Sequence, residues 1–274
     1  MTFSLDDPKT LISHGACVVR GVLASAEIDA YKARLAQVSG IAESDYQHRW
    51  SLADGVSKRA EFWPLIFQQK LLKAVRSIVD ADARFVQCTD LHVHRASLSW
   101  HRDSAHRDFG VGPDWSADYR VIRVAFYLHP HSFGIIPRSH IHESELSPIQ
   151  MRLWQVLTRF NGDPIPQFGI RTSETIGPTR PVWITTNPGD CILFDARLLH
   201  AAPPVTRPKF AVFLCYGPNN IHSRNHQRYY RTERRELNYE PLASELIAEL
   251  QRAGLYLGDE PPSRSEPMRA GDKS

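Results

Sequence analysis

The middle of the chain alternates hydrophobic and polar residues in short runs that turns separate. This period of two residues is typical of β-strands with one buried face. An earlier run of the same kind covers residues 16–22. The later predicted strands lie at about residues 84–94, 120–128, 180–186, 191–194 and 211–214. The pattern therefore predicts a core that is mainly β.

Segments with the apolar spacing of helices come before and after this core in the chain. Ile28, Tyr31 and Leu35 lie on one face of a helix that ends at Gly40. Residues 41–61 are polar and irregular, which predicts a loop. The predicted helices span about residues 25–40, 65–79, 148–160, 225–237 and 242–254, and the basic 225–237 helix is expected to expose a charged face.

Composition and charge describe an ordinary globular protein. The 274 residues carry a net charge of +3, with 42% hydrophobic and 23% charged residues. This small net charge indicates neither a nucleic-acid nor a membrane-surface partner. No run approaches the ~18 apolar residues of a membrane helix, and the acidic N-terminus lacks a signal peptide's apolar segment. A cytoplasmic location is expected.

The cysteines are scattered and form no Cys-x-x-Cys pair. Cys17, Cys88, Cys191 and Cys215 each lie in an apolar run. Buried free thiols are therefore expected at all four positions, rather than disulfides or zinc ligands.

A His-x-Asp motif follows one of the predicted strands. Side chains alternate along a strand, so His101 and Asp103 point to the same face. His200 ends a later apolar strand that begins after the turn Pro188-Gly189-Asp190. Two imidazoles and one carboxylate leave the other face of a metal open, which is typical of non-heme Fe(II) oxygenases.

A second copy of the motif, His106-Arg107-Asp108, follows five residues later. His101 and Asp103 are preferred because they end a strand, whereas His106 opens a loop containing Gly110 and Gly112.

Three stretches resemble the phytanoyl-CoA dioxygenase-like (PhyH) family of Fe(II)/2-oxoglutarate-dependent oxygenases. They are Trp100-His101-Arg102-Asp103, the stretch from Tyr127-Leu128 to Ile136-Pro137-Arg138-Ser139-His140, and the stretch from Pro188-Gly189-Asp190 to His200. The resemblance implies a double-stranded β-helix, a jelly roll of the cupin type. It also implies Fe(II) on His101, Asp103 and His200, with 2-oxoglutarate and O2 as cosubstrates.

The expected organisation is a single oxygenase domain over residues 1–258. A helical N-terminal buttress (1–83) precedes the jelly-roll core (84–217), and C-terminal helices follow (218–258). The tail, 259–274, is rich in Pro, Ser and charge and is expected to be disordered.

The resemblance also implies a cation after the distal histidine that pairs with the C5 carboxylate of 2-oxoglutarate. The family usually has an arginine there. Lys209 stands nearest that place, just before an apolar run, while Arg207 and Arg123 are the rival candidates. A lysine lacks the bidentate fork of arginine, so this position departs from the family pattern.

Another group of histidines could mimic a metal cluster. His129, His131, His140 and His142 lie in and after a turn that follows the 120–128 strand. A turn is ordinarily solvated, so the sequence predicts that all four are exposed.

The expected function is hydroxylation of an unactivated C–H bond, with 2-oxoglutarate converted to succinate and CO2. Desaturation, epimerisation and cyclisation use the same triad and stay open. Two further alternatives are a noncatalytic, metal-binding, cupin-like protein and a zinc or manganese hydrolase or isomerase. The expected partner is a small molecule, with anionic compounds suited to the basic 225–237 segment; the oligomeric state is not readable.

Overall fold

The protein's structure is a computed structural model that describes residues 5–95, 100–104, 116–141, 182–203 and 205–258. The second His-Arg-Asp copy, His142, the helix predicted at 148–160 and the 259–274 tail lie outside these residues.

Two antiparallel sheets form the core of the described chain. The larger sheet has the strand order β1-β8-β5-β10-β4-β2, and β3 pairs with β10 beyond the end of β4. The smaller sheet has the order β7-β6-β9. The strands are β1 (Ala16–Val19), β2 (Trp50–Ala53), β3 (Ala83–Phe85), β4 (Asp90–Val93), β5 (Ile122–Tyr127), β6 (His131–Ile135), β7 (Val182–Thr186), β8 (Cys191–Asp195), β9 (His200–Ala201) and β10 (Phe210–Pro218).

The inner faces of the two sheets enclose an aromatic and aliphatic core. Tyr127 and Phe213 from the larger sheet pack with Phe133 from the smaller one. Because strand side chains alternate, the polar residues of the same parity also face this interior. The architecture is the mainly β jelly roll with flanking helices that the sequence predicts.

Helices cover the outer face of the larger sheet. Their apolar sides pack against the alternate residues of the sheet, such as Leu91, Val124 and Leu214. The α-helices are α1 (Lys9–His14), α2 (Ser25–Ser39), α3 (Gly55–Lys58), α4 (Gln69–Val79), α5 (Ile221–Arg228) and α6 (Ser244–Arg252). Strand β5 is therefore buried on both faces, which is why its sequence is almost continuously apolar. None of the helices in these ranges is long and apolar enough to cross a membrane.

The N-terminal part of the chain contributes strands as well as helices. β1 pairs with β8, and β2 pairs with β4. The prediction of a loop over 41–61 was therefore wrong for residues 50–58, because pairing with β4 makes Trp50–Ala53 a strand and helix α3 follows it. The predicted 65–79 helix is also divided, into a 3₁₀ segment (Ala60–Phe67) that contains Pro64 and helix α4.

The basic segment after β10 does not form the single helix predicted for 225–237. Helix α5 ends at Arg228, a π-helical turn covers Tyr229–Glu233, and a short 3₁₀ turn covers Arg235–Leu237. Tyr229 is buried, and the Tyr230 ring packs edge-on against it at 5.4 Å. The π turn directs these rings inward, where helical periodicity predicted a solvated face.

The Pro188-Gly189-Asp190 turn fixes the start of β8 against the N-terminal region. The carbonyl of Gly189 accepts hydrogen bonds from the backbone N–H groups of Val22 and Leu23, at 2.6 and 3.1 Å. Asp190 accepts from the backbone N–H of Gly21 at 2.9 Å. Gly189 has φ +91°, and a Cβ there would lie 2.6 Å from the Leu23 carbonyl oxygen. Glycine is thus required both for conformation and for space.

Gly189→Ala is expected to lower the free energy of unfolding by roughly 2–4 kcal/mol, because left-handed strain adds to a clash with backbone that cannot move aside. Gly40 is the matched control, since it has φ +69° but open space around its Cα. Gly40→Ala should cost only about 1 kcal/mol. Urea denaturation of both variants tests this; equal losses would show that the contact with Leu23 is unimportant.

Candidate metal centre

Three side chains from separate segments converge at one end of the interior. The Nε2 atoms of His101 and His200 lie 3.7 and 3.8 Å from Oδ1 of Asp103. One ligand atom from each of the three lies within 4.8 Å of the others, and no second such group of His, Cys, Asp or Glu is found in the described ranges. The His101 side chain is 37% exposed, against 6% for His200, so the group is reached from the His101 side.

Backbone pairing brings the two histidines together. His101 and His200 exchange antiparallel hydrogen bonds, with N···O distances of 3.1 and 3.0 Å. Their rings lie 4.2 Å apart between centroids. Since β9 also pairs with β6, the smaller sheet holds both histidines in register.

The ring of His200 is fixed in orientation. Its Nδ1 donates a hydrogen bond to the carbonyl oxygen of Leu198, at 2.9 Å. The lone pair of Nε2 is then free to face Asp103 and His101. Phe194 and Phe133 pack on the ring at 4.7 and 5.3 Å. A histidine held in this way is prepared for metal ligation.

Asp103 is held from two sides. Oδ2 accepts a hydrogen bond from Nε of Arg123 at 3.1 Å, which leaves Oδ1 for the two imidazoles. The backbone carbonyl of Asp103 accepts from the hydroxyl of Tyr230 at 3.2 Å. The π turn after α5 thus reaches the candidate site.

Arg123 is buried and paired on every nitrogen of its guanidinium. Nη2 donates to Asp90 at 2.7 Å, and Nη1 donates to the carbonyl and to Sγ of Cys88. Together with Asp103, these contacts use all three nitrogens within the folded chain. The geometry favours a role for Arg123 in holding the carboxylate of Asp103 over a role as a 2-oxoglutarate anchor.

The environment sets the protonation states that metal ligands need. Burial acts to raise the pKa of Asp103, but the positive charges of His200, Arg123 and His101 outweigh it and hold this pKa below its ordinary value. Burial lowers the pKa of His200 to about 4, and the charge of His101 acts in the same direction. One carboxylate and two imidazoles with one open side are a donor set that fits Fe(II).

The other predicted cation, Lys209, is buried just before β10. Its ammonium donates to the backbone carbonyl of Arg95 and lies 5.6 Å from the centroid of the Tyr127 ring. Burial lowers the pKa of Lys209 from 10.5 to about 7, and the charge of Arg95 acts in the same direction. Arg207, by contrast, is exposed.

His94 fixes the backbone of Lys209. The His94 N–H donates to the Lys209 carbonyl at 2.7 Å, and its Nδ1 accepts from the Lys209 N–H at 3.2 Å. His94 adopts φ +52° to make both contacts. This double contact holds the lysine at the beginning of β10.

The prediction of exposed histidines after β5 was wrong. His129, His131 and His140 are all buried. His131 packs on Tyr127, His129 packs on Phe210, and Nε2 of His140 lies 3.1 Å from the Ile12 carbonyl oxygen. Sequence reasoning also missed Asp90 and Tyr230, although the inward parity of β4 could have indicated Asp90. The expectation of buried free thiols is confirmed for all four cysteines.

The fold is similar to that of several solved structures whose sequences are less than 20% identical to this chain. The "non-heme alpha ketoglutarate dependent epimerase SnoN from nogalamycin biosynthesis" has 15% identity and a TM-score of 0.52, covering 77% of this chain and 81% of its own. HygX from Streptomyces hygroscopicus "with nickel and 2-oxoglutarate bound" has 18% identity and a TM-score of 0.51, covering 80% and 88%. AviO1 from Streptomyces viridochromogenes Tue57 has 16% identity and a TM-score of 0.51, covering 79% and 96%.

The sequence itself has one family match. No curated protein matches the chain significantly. The sequence model of the family described as phytanoyl-CoA dioxygenase (PhyH), however, matches residues 12–211, well over half of the 274 residues. The chain therefore belongs to the PhyH family, whose cofactors are Fe(II), 2-oxoglutarate and O2.

Proposed function

We propose that the protein is a non-heme Fe(II)- and 2-oxoglutarate-dependent dioxygenase that hydroxylates an unactivated C–H bond of a small molecule. His101, Asp103 and His200 would hold the metal. The observation that carries the proposal is the convergence of their ligand atoms within 4.8 Å, on an interior that also contains the buried ammonium of Lys209. Bound Fe(II) and 2-oxoglutarate would activate O2, which is the oxidant, and the chain supplies position and environment.

Lys209 would pair with the C5 carboxylate of 2-oxoglutarate. A buried carboxylate needs a cation and hydrogen-bond donors to offset its desolvation. The interior beside the lysine is lined by Tyr127, Phe133 and Phe213, which exclude water. Arg207 is exposed and Arg123 is fully paired, so Lys209 is the best placed of the three candidates.

Epimerisation is the second candidate reaction, because SnoN, which has a similar fold, is an epimerase. Solved structures of SnoN and HygX contain nogalamycin RO and hygromycin B, which supports a small-molecule substrate here.

Hydroxylation would place one atom of ¹⁸O2 in the product, whereas epimerisation would leave the mass of the substrate unchanged. Succinate release with Fe(II), but not with Zn(II), would distinguish either reaction from a hydrolase or a noncatalytic binding protein.

Anaerobic addition of 2-oxoglutarate to the Fe(II) protein should give a weak visible charge-transfer band near ~500 nm, as expected when a keto acid chelates an open Fe(II) face. His101→Ala should abolish the band by removing a ligand. His106→Ala is the matched control, from the second copy of the motif, and should keep it. No band in the wild type with iron bound would contradict the proposal.

Arg123→Met should weaken Fe(II) binding by about 10- to 100-fold, the effect typical of removing a group that orients a metal ligand. Arg123→Lys keeps the charge but contacts fewer partners, so an intermediate loss is expected. Arg84, which is half-buried and pairs with Asp82 and the Gly254 carbonyl outside the candidate site, provides the control Arg84→Met. Anaerobic metal titration and circular dichroism measure affinity and folding separately; unchanged affinity in folded Arg123→Met would contradict the assignment.

Affinity for 2-oxoglutarate should fall as pH rises above 7. The bound carboxylate needs the ammonium form of Lys209, and this group loses its proton with a pKa of about 7 in the ligand-free protein. The dissociation constant should therefore rise by up to about tenfold per pH unit between pH 7 and 9. Lys209→Arg should remove this dependence, because arginine stays protonated throughout.

The groups that face Lys209 do not titrate in this range. Burial, and then the charge of Lys209, lowers the pKa of His92 and of His131 well below their usual value. Burial raises the pKa of Tyr127. Titrations with 2-oxoglutarate at saturating Fe(II) measure how its dissociation constant changes with pH. A dissociation constant that does not change with pH in the wild type would contradict the role of Lys209 as the anchor.

A further inference from the structure

His131 has an unused hydrogen-bonding atom inside the protein. The residue is only 7% exposed, and within the described part of the chain its buried Nε2 has no hydrogen-bond partner. It is the first residue of β6 and shares the inward parity of Phe133 and Ile135. A buried polar nitrogen is normally paired, so this atom calls for a ligand from outside the described chain.

The surroundings of His131 connect it to Lys209. The His131 ring lies 4.3 Å from the Tyr127 ring, and the Lys209 ammonium lies 5.6 Å from the centroid of that same ring. His131 comes from the smaller sheet, whereas Lys209 precedes a strand of the larger one. The two groups therefore approach one aromatic side chain from the two sheets that enclose the interior.

The ionisation of the pair suits an anion. Burial, and then the positive charges of Lys209 and Arg207, hold the pKa of His131 well below its usual value. A neutral imidazole still donates one N–H. His92 on β4 experiences the charge of Lys209 as well as that of Asp103, so it belongs to the same interior.

We propose that His131 donates a hydrogen bond from Nε2 to the C5 carboxylate of 2-oxoglutarate and so forms, with Lys209, a two-donor anchor. The inference rests on the proposed function. Its physical reason is the lysine itself, which presents a point charge and already donates to the Arg95 carbonyl. An arginine would contact both carboxylate oxygens, whereas a lysine leaves one of them for a second donor. His131 supplies that donor.

The test compares two keto acids that differ only at the distal end. 2-Oxopentanoate chelates Fe(II) as 2-oxoglutarate does but lacks the C5 carboxylate. Anaerobic titration of the Fe(II) protein, followed by the charge-transfer band, gives a dissociation constant for each acid. His131→Phe keeps an aromatic ring beside Tyr127 and removes the donor, while His131→Gln restores a donor.

His131→Phe should weaken 2-oxoglutarate binding by roughly 10- to 100-fold, the range for a hydrogen bond to a charged group. Binding of 2-oxopentanoate should change less than about twofold, and His131→Gln should recover most of the 2-oxoglutarate affinity. His129→Phe is the matched control. Among the described residues the buried Nε2 of His129 also has no hydrogen-bond partner, but its Nδ1 lies 3.5 Å from Glu43. This variant should bind both acids as the wild type does.

An unchanged affinity of His131→Phe for 2-oxoglutarate would overturn the inference and leave the proposed function intact. Equal losses for both acids would overturn it too, since a general disturbance of the interior does not depend on the C5 carboxylate. Absence of 2-oxoglutarate binding by the iron-loaded wild type would overturn the proposed function and the inference together. If His131→Phe does not fold, His131→Asn, whose donor is too short to reach, is used in the same comparison.

Discussion

The arrangement of the candidate site depends on one buried cation, the guanidinium of Arg123. It joins Asp90 on β4 to Asp103, which lies in a segment without regular structure. Burying a cation and two carboxylates is costly unless every donor is paired, and here every nitrogen is. Because β5 lies between β8 and β10, the sheet fixes Arg123, and Arg123 in turn fixes the carboxylate beside the two histidines.

The interior has two chemically different ends. At one end the candidate metal ligands His101, Asp103 and His200 meet, and His101 is partly exposed. At the other, Lys209 is buried, bonded to a backbone carbonyl, and close to Tyr127. An elongated dianion that chelates a metal with one end and carries a carboxylate at the other matches this arrangement. The lowered pKa of Lys209 is the electrostatic consequence of burying its ammonium away from water.

Both terminal regions are part of this interior. The N-terminal region adds β1 and β2 to the larger sheet, and its helices cover the outer face, which keeps the polar chemistry on the inner one. The C-terminal region reaches the site through Tyr230, whose hydroxyl bonds to the Asp103 backbone. A π-helical turn places that ring, which agrees with the frequent occurrence of such turns at functional sites.

The sequence by itself determined the features that depend on local periodicity and turn chemistry. The His-x-Asp motif and the distal His200 indicated the three side chains that converge, the Gly189 turn set the start of β8, and the apolar runs indicated a mainly β core. Only the tertiary structure decided the rest, because local sequence patterns do not specify which strands pair. It placed His131 in the interior and paired part of 41–61 as a strand. It also ended the basic helix before Tyr229 and paired Arg123 with two carboxylates. These outcomes follow from which strands are neighbours, and neighbours come from distant parts of the chain.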